Sequence, residues 1–116
     1  MLGFNAVDQA RQAHVFAALA DATRRELLVH LTERGPQTAT QLARDFPITR
    51  QAIIKHLDTL EAAGLVTVQQ HGREKRYTPT LEPLDAVDAW IKTLTEQWDQ
   101  RLLRLKALVE ADQAHE

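Results

Sequence analysis

The spacing of hydrophobic residues changes along the chain, and each change predicts a different secondary structure element. Residues 7–20 (VDQARQAHVFAALA) are Ala-rich and favour a helix, and the next segment, ATRRELLVHLTER, has its leucines on one side. Two further helical segments, TQLARDF and RQAIIKHLDTLEAA, follow. LVTVQQ then alternates as a half-buried strand does, EKRYT returns as its partner, and a last helix is predicted over residues 84–110.

Capping and breaking residues lie where these segments meet, and they support the predicted boundaries. Asp21 is a suitable N-cap for the second helix, Thr38 with Gln41 fits a capping box for the third, and Thr49 precedes the fourth. The predicted stops and turns are Gly35-Pro36, Pro47, Gly64 and Gly72. The order is that of a winged helix-turn-helix: mainly α with a small β-hairpin, comprising four helices, a two-stranded wing and a C-terminal helix.

The last helix carries a wide apolar stripe whose members recur at spacings of three or four. One interpretation is a helix packed on its own core. The other is a homodimer interface, since a wide apolar face with tryptophans is typical of one. The predicted interface residues are Leu84, Val87, Ile91, Leu94, Trp98, Leu102 and Leu105. The helix at 1–20 is predicted to join residues 84–110 in dimerisation.

Composition narrows the class of protein. The 116 residues predict one domain, 1–116, and the absence of cysteine excludes disulfides and thiolate metal sites. No apolar run is long enough for a membrane span, and the N-terminus lacks the pattern of a signal peptide, so a cytoplasmic protein is expected.

The net charge of −2 is unevenly spread: residues 44–76 carry +2, whereas residues 77–116 carry −4. Local charge governs phosphate binding, so the segment at 44–76 is the candidate DNA surface.

The fourth helix presents a polar face whose side chains match the chemistry of base edges and phosphates. Arg50 can donate two hydrogen bonds to guanine, Gln51 can pair with adenine, and Ile54 can contact a thymine methyl. Lys55 and Thr49 can hold phosphates, aided by the helix N-terminus. By itself this face is equally well explained as an ordinary solvated surface.

The hairpin adds three basic residues, Arg73, Lys75 and Arg76, which can reach the DNA backbone or minor groove. A charged hairpin alone usually means only an edge protected against aggregation. Because it directly follows the fourth helix, it favours the DNA interpretation. His56 is interpreted as a structural histidine rather than a metal ligand or catalytic group, and no pattern of nucleophile, phosphate loop or carboxylate pair supports an enzyme.

Three consecutive motifs, FAALADATRRELLVHL, TRQAIIKHLDTLEAAGLV and GREKRY, resemble the ArsR family of bacterial winged-helix repressors over residues 14–78. The resemblance implies a homodimer whose first and last helices form the interface and whose fourth helix reads double-stranded DNA. Metal-sensing relatives use cysteines on the third helix or an Asp/His set on the last. The corresponding stretches here, TATQLARD and DAVDAW, supply neither, so the chain resembles the metal-independent branch and no cofactor is expected.

One departure from the family concerns Ile54, a position that is commonly serine in relatives, so that an apolar contact replaces a polar one. Three alternatives stay open at this level: constitutive repression, release by a small organic ligand or protein partner, and a winged-helix adaptor that binds proteins without DNA. The adaptor would show no salt-dependent affinity for DNA.

Overall fold

The structure is a computed structural model and describes residues 6–114. Within these residues there are five α-helices and three strands, and all of them except the first strand were predicted in this order. They are α1 (Ala6–Leu19), α2 (Ala22–Arg34), β1 (Gln37–Thr38), α3 (Ala39–Asp45), α4 (Arg50–Ala62), β2 (Val66–His71), β3 (Glu74–Pro79) and α5 (Leu84–Ala114). The winged helix-turn-helix fold class is confirmed.

The predicted caps are present at three helix starts. The Asp21 carboxylate accepts from the Arg24 amide at 3.1 Å, and the Thr49 hydroxyl accepts from the Ala52 amide at 3.1 Å. Thr38 and Gln41 form a reciprocal capping box, in which each side chain accepts from the other residue's backbone amide. These bonds satisfy amides that a helix start leaves without an intrahelical partner, so the entry to each helix is fixed locally.

Gly64 ends α4 in the left-handed region, with φ of 77°. Its amide donates to the Glu61 carbonyl, and the amide of Leu65 donates to the Leu60 carbonyl, each at 2.9 Å. This is the Schellman arrangement, which satisfies the last carbonyls of a helix and turns the chain sharply. The turn sends the chain from α4 directly into β2, so the wing begins beside the end of α4.

The sheet has three strands in the order β1-β3-β2, all antiparallel, where the sequence predicted only two. The additional strand is β1, in which Gln37 pairs with Tyr77 and Thr38 pairs with Arg76. Two residues are too short to show an alternating pattern, which is why sequence analysis missed the strand. Since Thr38 is also the N-cap of α3, β1 ties the wing to the start of that helix.

The core lies between α1, α2, α3, α4 and the sheet. Its fully buried side chains include Val15, Leu27, Leu31, Leu42, Ile53, Leu57, Leu60, Leu65 and Val66. Burying one such side chain contributes about 1.5–3 kcal/mol relative to leaving it exposed. The inner face of α4 supplies three of them, so α4 is held firmly while its other face stays outward.

α5 is the longest element, with 31 residues, and only its beginning packs on the core. Leu84 and Val87 are half-buried against core residues, and the Gln12 amide group donates to the Ala86 carbonyl at 3.3 Å. Every side chain from 94 to 113 is exposed. Within the described residues, no helix is both long enough and apolar enough to cross a membrane.

Candidate nucleic-acid interface

α4 divides into the two faces that the sequence predicted. Ile53, Leu57 and Leu60 are buried, whereas Arg50, Gln51 and Lys55 are exposed. The division follows from the helical repeat, which places residues three and four apart on the same side. The apolar side of α4 therefore packs in the core, and its polar and basic side chains face outward.

A cleft of about 580 Å³ opens between the start of α3, the outer face of α4 and the wing. Its lining includes four basic and two acidic side chains, an excess of positive charge in a protein whose net charge is −2. The net positive charge of the lining favours a negatively charged ligand. The lining residues are Thr38, Ala39, Thr40, Gln41, Arg44, Arg50, Ile54, Asp58, Arg73, Glu74, Lys75 and Tyr77.

Arg50 is held in place across this cleft. Its Nε donates to the Thr40 hydroxyl at 3.1 Å, which joins the start of α4 to the first turn of α3. The bond uses one of five guanidinium N–H groups, so the others stay available for an acceptor. Thr40 and Arg44, both on the exposed side of α3, were missed by sequence analysis because only the folding of α3 against α4 brings them beside Arg50.

Ile54 lines the cleft but is less exposed than its polar neighbours on α4. It is half-buried and packs against core side chains, while part of its surface still lines the cleft. Gln51 and Lys55 lie farther round the exposed face of α4 and do not line the cleft. Thr49 uses its hydroxyl oxygen as the cap of α4, so its hydroxyl proton remains for a second partner.

The wing separates the three basic residues that the sequence grouped together. Gly72 has a φ of 64° and Arg73 does not have a positive φ, the sign pattern of a type II′ hairpin turn with Arg73 at its tip. Lys75 lines the cleft together with Arg73. Arg76 does not line the cleft, and its Nη2 lies 3.7 Å from the Glu74 carboxylate.

Tyr77 also lines the cleft and was not singled out from the sequence. Its side chain is buried, and this burial is the first cause of a raised pKa, with the charges of Asp58 and Glu61 adding to it and that of Arg50 opposing it. The phenol therefore stays protonated and neutral at physiological pH. It offers a hydrogen-bond donor at the edge of a cationic surface.

The predicted interface residues on α5 fall into two groups. Leu84 and Val87 already pack on their own core, while the later members of the stripe are 44% to 58% exposed. Those later members are Ile91, Leu94, Trp98, Leu102 and Leu105. Trp90 stacks edge-on against Phe16 of α1 with ring centres 5.2 Å apart, so α1 and α5 are joined where the exposed stripe begins.

Among the described residues, no group of three or more His, Cys, Asp or Glu side chains is placed to hold a metal ion. His56 is half-buried, and its Nδ1 lies 3.5 Å from Nη1 of Arg24. The contact joins α2 to α4, and the structural role of His56 stays a prediction.

Comparison with known proteins finds relatives over most of the chain. Residues 19–69 match a family described as a helix-turn-helix domain. The uncharacterized HTH-type transcriptional regulator YuzN of Bacillus subtilis (strain 168) is 42% identical over 85 residues, covering 67% of this chain and 92% of YuzN. The transcriptional repressor SdpR of the same organism is 29% identical over 89 residues, covering 77% of this chain and 98% of SdpR.

A solved structure gives the same result for the fold. The ArsR-like transcriptional regulator from Rhodococcus sp. RHA1 has a TM-score of 0.73 and 42% sequence identity, and the match covers 86% of this chain and 93% of that one. The matched residues contain α3 and α4, which form one side of the cleft, whereas the wing residues that line the cleft lie beyond the match.

Proposed function

We propose a specific role for this chain, which belongs to the ArsR-like family of helix-turn-helix transcriptional regulators. Membership makes it a DNA-binding transcriptional regulator. Within that class, we propose a homodimeric repressor that binds an inverted-repeat operator without a metal. The observation that carries the proposal is the basic cleft beside the exposed face of α4.

In this proposal, the start of α4 enters the major groove. Arg50, braced by Thr40, donates to guanine, and Gln51 pairs with adenine one residue later. Ile54, which lines the cleft, offers a small apolar surface to a thymine methyl. Because each of these contacts needs a particular base, the three residues would carry sequence specificity.

Phosphates would be held on both sides of the reading residues. Thr49 and Lys55 lie on the exposed side of α4, and Arg73 and Lys75 reach across the cleft from the wing. Arg76 is placed for a phosphate outside the cleft, in competition with its pairing to Glu74. Contacts of this kind position the protein and do not depend on base sequence.

The second half of α5 supports the homodimer. Residues 94–113 are all exposed in one chain, yet they include the apolar Leu94, Trp98, Leu102 and Leu105. Most of the stability of a helix in a protein comes from packing an apolar face, so such a helix in isolation is marginal in water. A second copy of α5 would cover the stripe and place two α4 helices on one side of a two-fold axis.

Repression follows most simply from occupancy of an operator, and the similarity to SdpR, which is named a transcriptional repressor, supports that role. The chain has no cysteine, and the described residues include no candidate metal cluster, both of which favour DNA binding that does not depend on a metal. Operator affinity should then be unchanged by zinc, by arsenite or by a chelator.

The proposal is tested by selecting bound duplexes from random DNA with the purified protein. We expect an inverted repeat whose half-sites lie about one helical turn (~10 bp) apart, as two symmetric reader helices require. Enrichment of a single unrepeated site would contradict the dimeric arrangement. Absence of any enrichment would contradict DNA reading and leave the protein-binding adaptor as the explanation.

Release of DNA by a small organic ligand is a second candidate, favoured by a cavity of about 560 Å³ between α1, the end of α4 and the start of α5. Its lining mixes the charged or polar side chains of Arg11, His14 and Glu82 with apolar Val15 and Pro83. A ligand in this cavity would contact both α1 and the end of α4. Screening small metabolites for loss of operator binding tests this candidate, and an Arg11→Ala variant that responds identically would exclude this cavity.

A further inference from the structure

The guanidinium of Arg24 lies where three helices meet. Its Nε donates to the Ala18 carbonyl at 2.6 Å and its Nη2 donates to the Ala17 carbonyl at 3.0 Å, both at the end of α1. Its Nη1 is 3.5 Å from Nδ1 of His56 on α4. Arg24 itself belongs to the first turn of α2, and its side chain is only 18% exposed.

These bonds close the end of α1. The last carbonyls of a helix have no intrahelical partner, and a cation is favoured beside them. Arg25 makes one similar bond, from Nη1 to the Leu19 carbonyl at 2.6 Å, but that arginine is exposed and its bond reaches α1 rather than α4. The two neighbouring arginines therefore form a matched pair, of which Arg24 also contacts α4.

The contact with His56 has a fixed direction. Arginine only donates, so Nδ1 of His56 is the acceptor in this contact. His56 lies on the inner side of α4, between the buried Ile53 and Leu60 and away from the exposed Gln51 and Lys55. A change at His56 therefore leaves the DNA-facing side chains in place.

We propose that Arg24 is a positioning residue that fixes α4 relative to α1 and thereby sets the half-site spacing that the dimer accepts. The inference rests on the proposed function, since spacing matters only if two copies bind together. α1 is joined to α5, the proposed dimerisation helix, by the Phe16–Trp90 contact and the bond from Gln12 to Ala86, so the end of α1 is a fixed point relative to α5. Arg24 links that fixed point to the reader helix through a rigid planar group.

The test measures spacing preference separately from base preference. Each variant is titrated with a duplex holding one half-site, and with a series of inverted repeats whose separation is stepped one base pair at a time. The variants are Arg24→Gln, His56→Ala and His56→Gln, and the matched control is Arg25→Gln. Thermal unfolding and circular dichroism accompany each titration.

Arg24→Gln and His56→Ala should lose about tenfold of the preference for the best spacing over its neighbours, within the range of coupling between contacting residues. Single half-site affinity and base preference should stay unchanged. His56→Gln retains an acceptor and should recover most of the spacing preference, and Arg25→Gln should behave as the wild type. The Arg24→Gln, His56→Ala double variant should lose no more than either single variant, because each change already breaks the same connection from α1 through Arg24 to α4.

An unchanged spacing profile in His56→Ala, or equal effects of Arg24→Gln and Arg25→Gln, would overturn the inference. If Arg24→Gln does not fold, the His56→Ala profile alone decides. Failure of the wild-type protein to select any repeated site would instead contradict the proposed function, so the two failures are distinguishable.

Discussion

Arg50 and Gln51 are adjacent at the start of α4, yet their surroundings differ. Arg50 is held by Thr40 and lines the cleft, whereas Gln51 lies on the open face of the helix. A side chain that is already oriented loses less freedom on binding, so Arg50 is expected to be the stronger reader.

Arg50→Ala should lower the affinity for the operator by roughly 1–3 kcal/mol and relax the preference at one base position in each half-site. Thr40→Val, which removes the brace and keeps the side-chain shape, should give a smaller loss at the same base position. Both are measured by binding to operators mutated one position at a time. Equal losses on operator and on scrambled DNA would mean that Arg50 only holds a phosphate.

Asp21 makes a pH-dependent contribution to stability. The hydrogen bond from the Arg24 amide is the first cause of the lowered pKa of its carboxyl. A carboxyl whose pKa is lower in the folded state stabilises the fold at pH values above its unfolded pKa. That contribution is lost as the pH falls through the lowered, folded pKa.

Asp21→Asn keeps a capping oxygen but removes the charge, so it should be less stable than the wild type at neutral pH. The difference in free energy of unfolding should shrink steadily once the pH falls below the ordinary carboxyl range. Chemical denaturation across an acid pH series measures it. A difference that stays constant with pH would show that the charge of Asp21 does not contribute.

Side-chain hydrogen bonds could be predicted from the sequence where the two partners are close together along the chain. The caps at Asp21, Thr38 and Thr49 each join residues three apart in the chain, and all three were predicted. Thr40, Arg44 and Tyr77 were missed, because their relevance arises only when α3, α4 and β3 come together around the cleft. The spacing of residues along the sequence does not show how α3, α4 and β3 pack together.

At the scale of elements, the basic residues of the wing fall into two groups. Arg73 and Lys75 line the cleft, whereas Arg76 does not and pairs with Glu74. The sequence analysis treated the three residues as one cluster at the tip.

Arg73→Ala and Lys75→Ala should each weaken binding to all DNA sequences alike. Each should flatten the slope of log K against log salt by about one unit for every phosphate that the variant no longer neutralises. Arg76→Ala serves as the comparison and should have a smaller effect, because Glu74 already partly neutralises Arg76. Loss of sequence discrimination in the Arg73 or Lys75 variants would mean that the wing reads bases.

Elements with a strong periodic pattern were predicted well, and the weakest pattern was missed. α5 was predicted over residues 84–110 and extends to Ala114, because no breaking residue stops it earlier. β1 has only two residues and depends on pairing with β3, a strand that lies far along the chain. Its existence is a consequence of the fold rather than of its own residues.

At the scale of the whole molecule, the second half of α5 extends away from the rest of the chain, which measures 77 Å along its longest axis. The proposed dimer covers the apolar stripe on this half of α5. Trp98→Glu places a charge at the centre of that stripe, so we expect this variant to be a monomer. Gln100→Glu adds the same charge on the opposite side of the helix and is the matched control. Sedimentation at micromolar concentration distinguishes them, and a wild-type monomer with an intact fold would contradict the proposed interface.

The distribution of charge agrees with this arrangement. The basic residues lining the cleft belong to α3, α4 and the wing, whereas residues 77–116 carry a net charge of −4 and form mainly α5. A dimer built on α5 would keep the acidic helices away from the phosphates. Total composition alone could not reveal this separation, because the net charge of −2 does not show that residues 44–76 are positive.

Whether the α4 surface reads DNA is decided by titrating the wild-type protein with its selected operator and with a scrambled duplex over a range of salt concentrations. The proposed function predicts that log K falls linearly with log salt for both duplexes, and that the operator binds tighter by about 10³ or more at physiological salt. Equal affinities for the two duplexes, or no salt-dependent binding to either, would contradict it.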